Sequence, residues 1–350
     1  MNLLRYTPVL TFPLIAGAAF GLGGVWTGLL PLVAFGLIPL AELLLPADRA
    51  NHDEGTEAAL RESSWAYDAL IYAFVPLQWG LMALFLWQLS RSAFSGLELV
   101  GAVFTMGILC GGFGINVGHE LGHRRGRLEQ WLAKASLASS LYTHFYIEHN
   151  RGHHAKVSTS EDPASAPQGR TVFGHWARSV PGTWLEAWRI EARRLEKKGL
   201  SWWHPSNEMW QLQGAQLLIL VLILAALGPV ALAGFVAASV VGFLLLETIN
   251  YIEHYGLRRQ QTQPGRYERV RPEHSWNSDH PIGRTLLFEL SRHSDHHANP
   301  GRPYQVLRSF EQAPQFPTGY PGMIVLALCP PLFFAVMHPR LEQWRAQYTS

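Results

Sequence analysis

Nine of the sixteen histidines in this chain are gathered into four short clusters. The densest is Leu290-Ser291-Arg292-His293-Ser294-Asp295-His296-His297-Ala298. On a helix its i, i+3, i+4 spacing puts three imidazoles within a fan of about 100°, on one face. In Gly118-His119-Glu120-Leu121-Gly122-His123 the two histidines are i, i+4, one above the other. In Glu148-His149-Asn150-Arg151-Gly152-His153-His154 the three imidazoles would span about 140° of a helix. The last cluster, Asn250-Tyr251-Ile252-Glu253-His254-Tyr255-Gly256, holds one histidine beside a carboxylate. Imidazoles gathered with carboxylates are a metal-ligand arrangement. Nine of them exceed the coordination shell of one metal and suit two.

The donor set narrows the metal. The two cysteines, Cys110 and Cys329, each lie in an apolar run and form no CxxC pair, so thiolate iron or zinc sites and a disulfide framework are excluded. Imidazole by itself suits Zn, Cu, Fe and Ni. His119-Glu120-Leu121-Gly122-His123 also matches HExxH, the zinc-protease pattern in which Glu120 would act as base. That pattern leaves the other seven clustered histidines unexplained.

The elements that position these clusters are apolar. Of 350 residues, 48% are hydrophobic and 15% charged, against about 25% charged in an average soluble protein. A bilayer core takes about 20 apolar residues of helix to cross. Six spans are predicted: residues 9–24, 27–45, 65–89, 97–117, 212–233 and 235–252. The N-terminal apolar run continues into the second span with no small-residue cleavage site, so it is read as a span and not a leader. Gly228-Pro229 and Gly234 mark breaks between the fifth and sixth. Met323–Met337, interrupted by Pro330-Pro331, is short for a span and is expected to pack on the domain or lie at the interface. The whole of 1–350 reads as one all-α membrane domain with two polar, histidine-bearing parts, 118–211 and 254–350. Both parts are basic, which places them and both termini on the cytoplasmic side. The clusters then fall at the inner ends of spans four and six, or just after them, so all four can meet in one layer. Nothing points to a nucleic-acid partner.

A metal pair at the mouth of an apolar bundle suggests an apolar substrate arriving from the bilayer. Chemistry on unactivated carbon calls for a redox metal that activates O2, which favours iron over zinc. Glu148, Glu253 and Asp295 stand beside ligand histidines, as acceptors that fix imidazole tautomers or as further ligands. A single histidine at a helix end is more often solvated or capping, and that is the reading for His52, His144, His175, His204, His274, His280 and His338. Basic residues after a span chiefly report topology; a docking role for Arg124, Arg125, Arg127, Lys134 and Arg258 is the second reading.

The set HELGH, EHNRGHH, NYIEHYG and LSRHSDHHA resembles the integral-membrane alkane hydroxylases (alkane 1-monooxygenases) of the histidine-rich di-iron membrane hydroxylase and desaturase class. NYIEHYG is the discriminating cluster, since simple desaturases are not expected to carry it. Glu161-Asp162-Pro163-Ala164-Ser165-Ala166-Pro167, His274-Ser275-Trp276-Asn277-Ser278 and Pro317-Thr318-Gly319-Tyr320-Pro321-Gly322-Met323 also look like this family. The resemblance implies a six-helix enzyme of the bacterial inner membrane with two non-haem irons. It would hydroxylate the terminal carbon of medium-chain n-alkanes with O2, using electrons from NADH through a reductase and rubredoxin. The ligands carried over are His119, His123, His149, His153, His154, His254, His293, His296 and His297, and no catalytic residue beyond them is implied. Arg124 stands where many members have Lys, which keeps the charge. Some relatives carry a fused rubredoxin; without CxxC pairs here, the donor is expected as a separate polypeptide or a further domain. The alternative is a membrane lipid or fatty-acid desaturase or hydroxylase, or a xylene-type methyl monooxygenase, with the same centre.

Overall fold

The computed structural model describes residues 3–348. It is mostly helical, and among the described residues the one sheet is a short hairpin pairing Gln261–Gln263 with Arg266–Tyr267. Five helices are long and apolar enough to cross a membrane: Leu3–Leu22, Gly24–Leu44, Ser64–Ser90, Gly96–Gly122 and Glu208–His254. The all-α, multi-pass reading therefore holds. The last helix has 47 residues, more than twice the ~20 a bilayer needs. It is interrupted at Gly228, whose φ of 83° and ψ of 178° no helix accommodates. Gly228 can take that conformation because it lacks a Cβ, and Pro229 removes the next backbone donor. The break thus falls at Gly228-Pro229, the first of the two breaks expected there, while Gly234 stays within the helix.

The chain divides into two compact units, each drawn from three segments. The first is Met1–Gly36, Ser63–Arg151 and Trp184–Leu246; the second is Leu37–Glu62, Gly152–Thr183 and Glu247–Ser350.

In the first unit the spans pack through aromatic rings and small residues. Phe113 stacks on Phe74 at 5.3 Å and meets Phe12 edge-on at 5.7 Å. Helix Gly96–Gly122 approaches helix Glu208–His254 backbone to backbone: a Cβ on Gly111 would lie 2.8 Å from the Gly242 carbonyl oxygen. Small residues are what such contacts use in lipid, where no water drives apolar surfaces together. Gln78 donates to Ser139 (3.3 Å), and Trp79 donates to the Ala135 carbonyl (2.9 Å), so helix Arg127–Ala138 is tied to the spans.

The second unit has a polar frame. Between the second and third expected spans lies helix Glu54–Glu62. Asp53 starts it by accepting from Thr56 N (2.9 Å) and Oγ1 (2.8 Å). Arg284 and Arg292 are almost fully buried. Arg284 pairs with Glu289 (2.7 Å) and Asp48 (2.9 Å), and Arg292 pairs with Asp279 (3.1 Å). Arg292 also donates to the carbonyls of Leu307 (2.8 Å) and Ala50 (2.9 Å). A planar fork with five donors can satisfy several acceptors at once, which makes a buried charge tolerable. The late apolar run becomes two helices, Tyr320–Ala327 and Pro330–Tyr348. Its Phe333 and Met337 are buried, so it packs on the unit as expected, with Phe333 5.1 Å from Tyr251.

The Gly111–Gly242 approach predicts that Gly242→Val, whose Cβ would press on Cys110, lowers stability by about 1–3 kcal/mol. Thermal unfolding in detergent should show a lower midpoint than wild type.

Candidate metal centre

In the second unit, four buried imidazoles converge. Ligand atoms of His153, His254, His293 and His297 all lie within 4.8 Å of one another. They come from three stretches of backbone: a π-helical turn (His149–His153), the end of the longest helix (His254), and the short helix His293–Ala298, which supplies two. The π turn inserts an extra residue per turn, so the fan expected from an α-helix does not apply to 149–154. His154 leaves this group and meets His296, with Nε2 to Nε2 at 3.2 Å. Thus each of the pairs His153-His154 and His296-His297 sends one ring into the four-imidazole group and one into the second contact.

In the first unit, His119 and His123 on helix Asn116–Gly122 place Nε2 atoms 3.3 Å apart, and the His149 ring lies 4.4 Å from His119. Two nitrogens bound to one metal at about 2.1 Å and roughly a right angle would be about 3 Å apart. The His119–His123 and His154–His296 separations match that value.

The surroundings fix which nitrogen of each ring can ligate. His153 Nδ1 meets the Asp162 carboxylate at 2.9 Å, leaving Nε2 for a metal. Asp162 also accepts from Ser165 Oγ (2.6 Å). Burial alone would push its carboxyl up, but the His153 imidazole and Ser165 hydroxyl reverse this and hold it at about 2. His254 Nδ1 faces the His274 carbonyl (3.4 Å), and its Nε2 is buried with no hydrogen-bond partner. An orphaned imidazole nitrogen among three others is costly unless a ligand takes it. The residues therefore fit a metal with nitrogen donors. Burial, with the neighbouring His293, holds His297 well below its ordinary range, in the neutral form a metal requires.

The carboxylates sort differently from one another. Glu253 accepts from Tyr320 Oη (2.7 Å) and meets His293 Nε2 at 3.0 Å, so it supports a ligand histidine. Burial, then the Glu253 charge, pushes the Tyr320 hydroxyl well above its usual range, so it stays a donor. Asp295 accepts from Asn299 (2.8 Å), Arg302 (2.7 Å) and Arg308 N (2.7 Å), and so anchors the chain after the fourth cluster, not an imidazole. Glu148 is buried in the first unit. Glu120 is engaged by Arg124 at 2.8 Å, which argues against a free protease base. Arg124 also pairs with Asp68 (3.2 Å), and Lys134 pairs with Glu208 (2.6 Å); Arg125, Arg127 and Arg258 are exposed.

Two supporting residues, Asp162 and Tyr320, lie in stretches whose family likeness was visible but whose role was not. An acid nine residues from its imidazole leaves no periodic signal. Of the single histidines read as solvated or capping, His144, His175, His274 and His280 are buried, and His144 and His280 stand at helix N-cap positions. His274 N-terminally closes a 3-10 turn by accepting at Nδ1 from Arg271 N (3.0 Å), and its carbonyl accepts from Ser158 Oγ (2.7 Å). Asn277 accepts from Ser294 (3.0 Å) and Trp276 donates to the Tyr255 carbonyl (2.9 Å), so the strap 274–278 joins the end of the long helix to helix His293–Ala298. An apolar groove of about 430 Å³ in the first unit is lined by Trp79, Met82, Leu86, Trp87, Ile223 and Leu227, with no histidine.

The fatty acid desaturase family model matches residues 95–327, which hold all nine clustered histidines. The chain is 39% identical to an alkane 1-monooxygenase of Ectopseudomonas oleovorans, covering 92% of this chain and 80% of the relative. It is 42% identical to alkane 1-monooxygenase 2 of Pseudomonas aeruginosa, covering 92% and 85%. It is 29% identical to the xylene/toluene monooxygenase hydroxylase component of Pseudomonas putida, covering 100% and 92%.

Two predictions arise from this geometry. Asp162→Asn should weaken metal binding about 10–100-fold by releasing the His153 tautomer, read as metal retained against a chelator. Burial pushes His274 down to about 4 from 6.5, so the unfolded chain takes that proton first. Its contribution to stability is full above pH 6.5 and is lost between 6.5 and about 4, by up to about 1.4 kcal/mol per pH unit. The unfolding midpoint of His274→Gln should therefore fall less steeply over that window than that of wild type.

Proposed function

Because the chain belongs to the family of alkane 1-monooxygenases, we propose that it hydroxylates the terminal carbon of medium-chain n-alkanes at a non-haem di-iron centre. The observation that carries this is the group His153, His254, His293 and His297, with the orphaned His254 Nε2 inside it. These four imidazoles are donors enough for one iron, and His119, His123, His149, His154 and His296 are the donors left for a second. When bound, the irons supply the O2 activation that an unactivated C–H bond requires. The protein's part is to hold the donors dry, neutral and oriented. Asp162 keeps His153 in one tautomer, Glu253 with Tyr320 does so for His293, and the His274 carbonyl does so for His254. We take the two interleaved units to act as one catalytic domain, since ligand histidines come from both.

An alkane has no polar handle, so selectivity for its end must come from the shape of a narrow apolar tunnel inside the bundle. We place the histidine clusters and both termini on the cytoplasmic side of the bacterial inner membrane, with six spans. Electrons would come from NADH through a reductase and rubredoxin. Docking of that acidic donor falls to Arg125 and Arg127, because Arg124 and Lys134 are already paired within the chain and Arg258 lines a pocket with Arg170 and Arg178.

The wider class includes enzymes acting on acyl chains and on aromatic methyl groups. Identities of 39% and 42% to alkane enzymes, against 29% to the xylene enzyme, favour the alkane reading. His254→Ala should abolish octane hydroxylation and lower bound iron, measured by gas chromatography and elemental analysis. Full activity in that variant would remove His254 as a ligand. Zinc instead of iron in the wild type, or turnover of fatty acid or xylene but not octane, would overturn the assignment.

A further inference from the structure

A second, unrelated pocket lies on the second unit. Its volume is about 220 Å³, and its walls include Arg170, Arg178, Arg258, Ser160 and Thr159. Three guanidiniums share it and no carboxylate lines it. Arg178 spends its donors on the carbonyls of Ser165 (3.0 Å), Asp162 (3.1 Å) and Ser160 (3.3 Å), which hold the loop in shape. Among the described residues, the side chains of Arg170 and Arg258 make no hydrogen bond or ion pair. The nearby carboxylate of Asp162 is committed to His153. Arg178 is held below its ordinary range by burial, with Arg170 and Arg258 adding repulsion. Like charges gathered in a concave wall without a counter-charge are costly by themselves and favourable once an oxyanion enters.

The depth of the pocket indicates where that oxyanion comes from. Tyr251, on the last turn of the long helix, donates to the Arg170 carbonyl (2.8 Å), and Tyr255 accepts from Gly169 N (2.7 Å). Arg258 follows that helix by five residues. Trp176 donates to Thr248 Oγ1 (3.1 Å), one turn deeper, and packs edge-on against Phe173, which is 50% exposed. Aromatic side chains one turn below a cluster of arginines at a span's end mark the acyl–headgroup boundary. A span ending there, with Trp176 and the half-exposed Phe173 beside it, would bring the pocket level with lipid phosphates.

We infer that Arg170, Arg178 and Arg258 form a binding site for a phosphate group, presented by the headgroup of an anionic phospholipid. A lipid seated there would brace the loop 159–170, whose Asp162 orients His153, so binding is linked to the stability of the metal-ligand frame.

The test uses the full-length protein in detergent micelles titrated with phosphatidylglycerol, with phosphatidylcholine, or with inorganic phosphate. Phosphatidylglycerol should raise the unfolding midpoint saturably by roughly 3–5 °C. Arg170→Gln/Arg258→Gln, which leaves the loop-holding Arg178 in place, should lose that rise and retain less phospholipid phosphorus through purification. An equal rise with inorganic phosphate, lost in the same variant, would uphold the oxyanion site and make free phosphate its source. A rise that persists in the variant, or no rise with either phosphate source, would overturn the site. So would a variant whose only defect is a raised KM for rubredoxin, since the pocket would then dock the donor protein.

Discussion

Keeping imidazoles dry and neutral is the constraint on which the second unit depends. His153, His254, His293 and His297 are each almost fully buried within reach of one another. A charged imidazole there would face both the loss of water and its neighbours' repulsion. Neutral rings avoid that but leave each with one donor and one acceptor nitrogen to satisfy. The fold sets a partner beside three of the four rings: a carboxylate for His153, another for His293, a backbone carbonyl for His254. The remaining nitrogens are then aimed at a common point.

Holding those partners requires a frame that does not yield. The two buried arginines, Arg284 and Arg292, provide it by binding carboxylates and carbonyls from segments far apart in sequence. Arg292 immediately precedes His293, so the anchor and the ligand share a backbone. Asp295, between ligand histidines, serves the same purpose by gripping Arg302 and the Arg308 amide. A charged residue beside a ligand is thus not necessarily its electrostatic partner. In this helix it is part of the scaffold, while the residues that tune imidazoles come from the 158–170 loop, the end of the long helix, and Tyr320.

The apolar helices obey a different constraint. In lipid their contacts rest on close packing, and the Gly111–Gly242 approach and the stacked Phe74–Phe113 pair are how two of them meet. Their ends carry His119, His123 and His254, so these candidate metal ligands are positioned by helix termini. Only Gly228-Pro229 breaks the longest helix, and its place matters because it sets where the segment bearing His254 begins.

Much of this was legible in the chain itself. Long apolar runs specify membrane helices because lipid leaves few other backbone solutions, and the nine clustered histidines specify nitrogen-rich metal chemistry because no other residue type serves. Gly228-Pro229 announces its break in the same way, whereas helix Glu54–Glu62 is less visible, since a short polar helix leaves a weak periodic signal. His254 is a lone histidine next to Glu253, singled out in sequence only by its NYIEHYG setting. Only folding brings it against His153 and the helix His293–Ala298. The same holds for Asp162 and Tyr320, and for the separation of adjacent His153 and His154 into different contacts. Residue type and local period determine which chemistry is available and which segments enter lipid. Which nitrogen faces which partner depends on contacts between residues as many as 142 apart in sequence, as His154 and His296 are, and those exist only once the chain has packed.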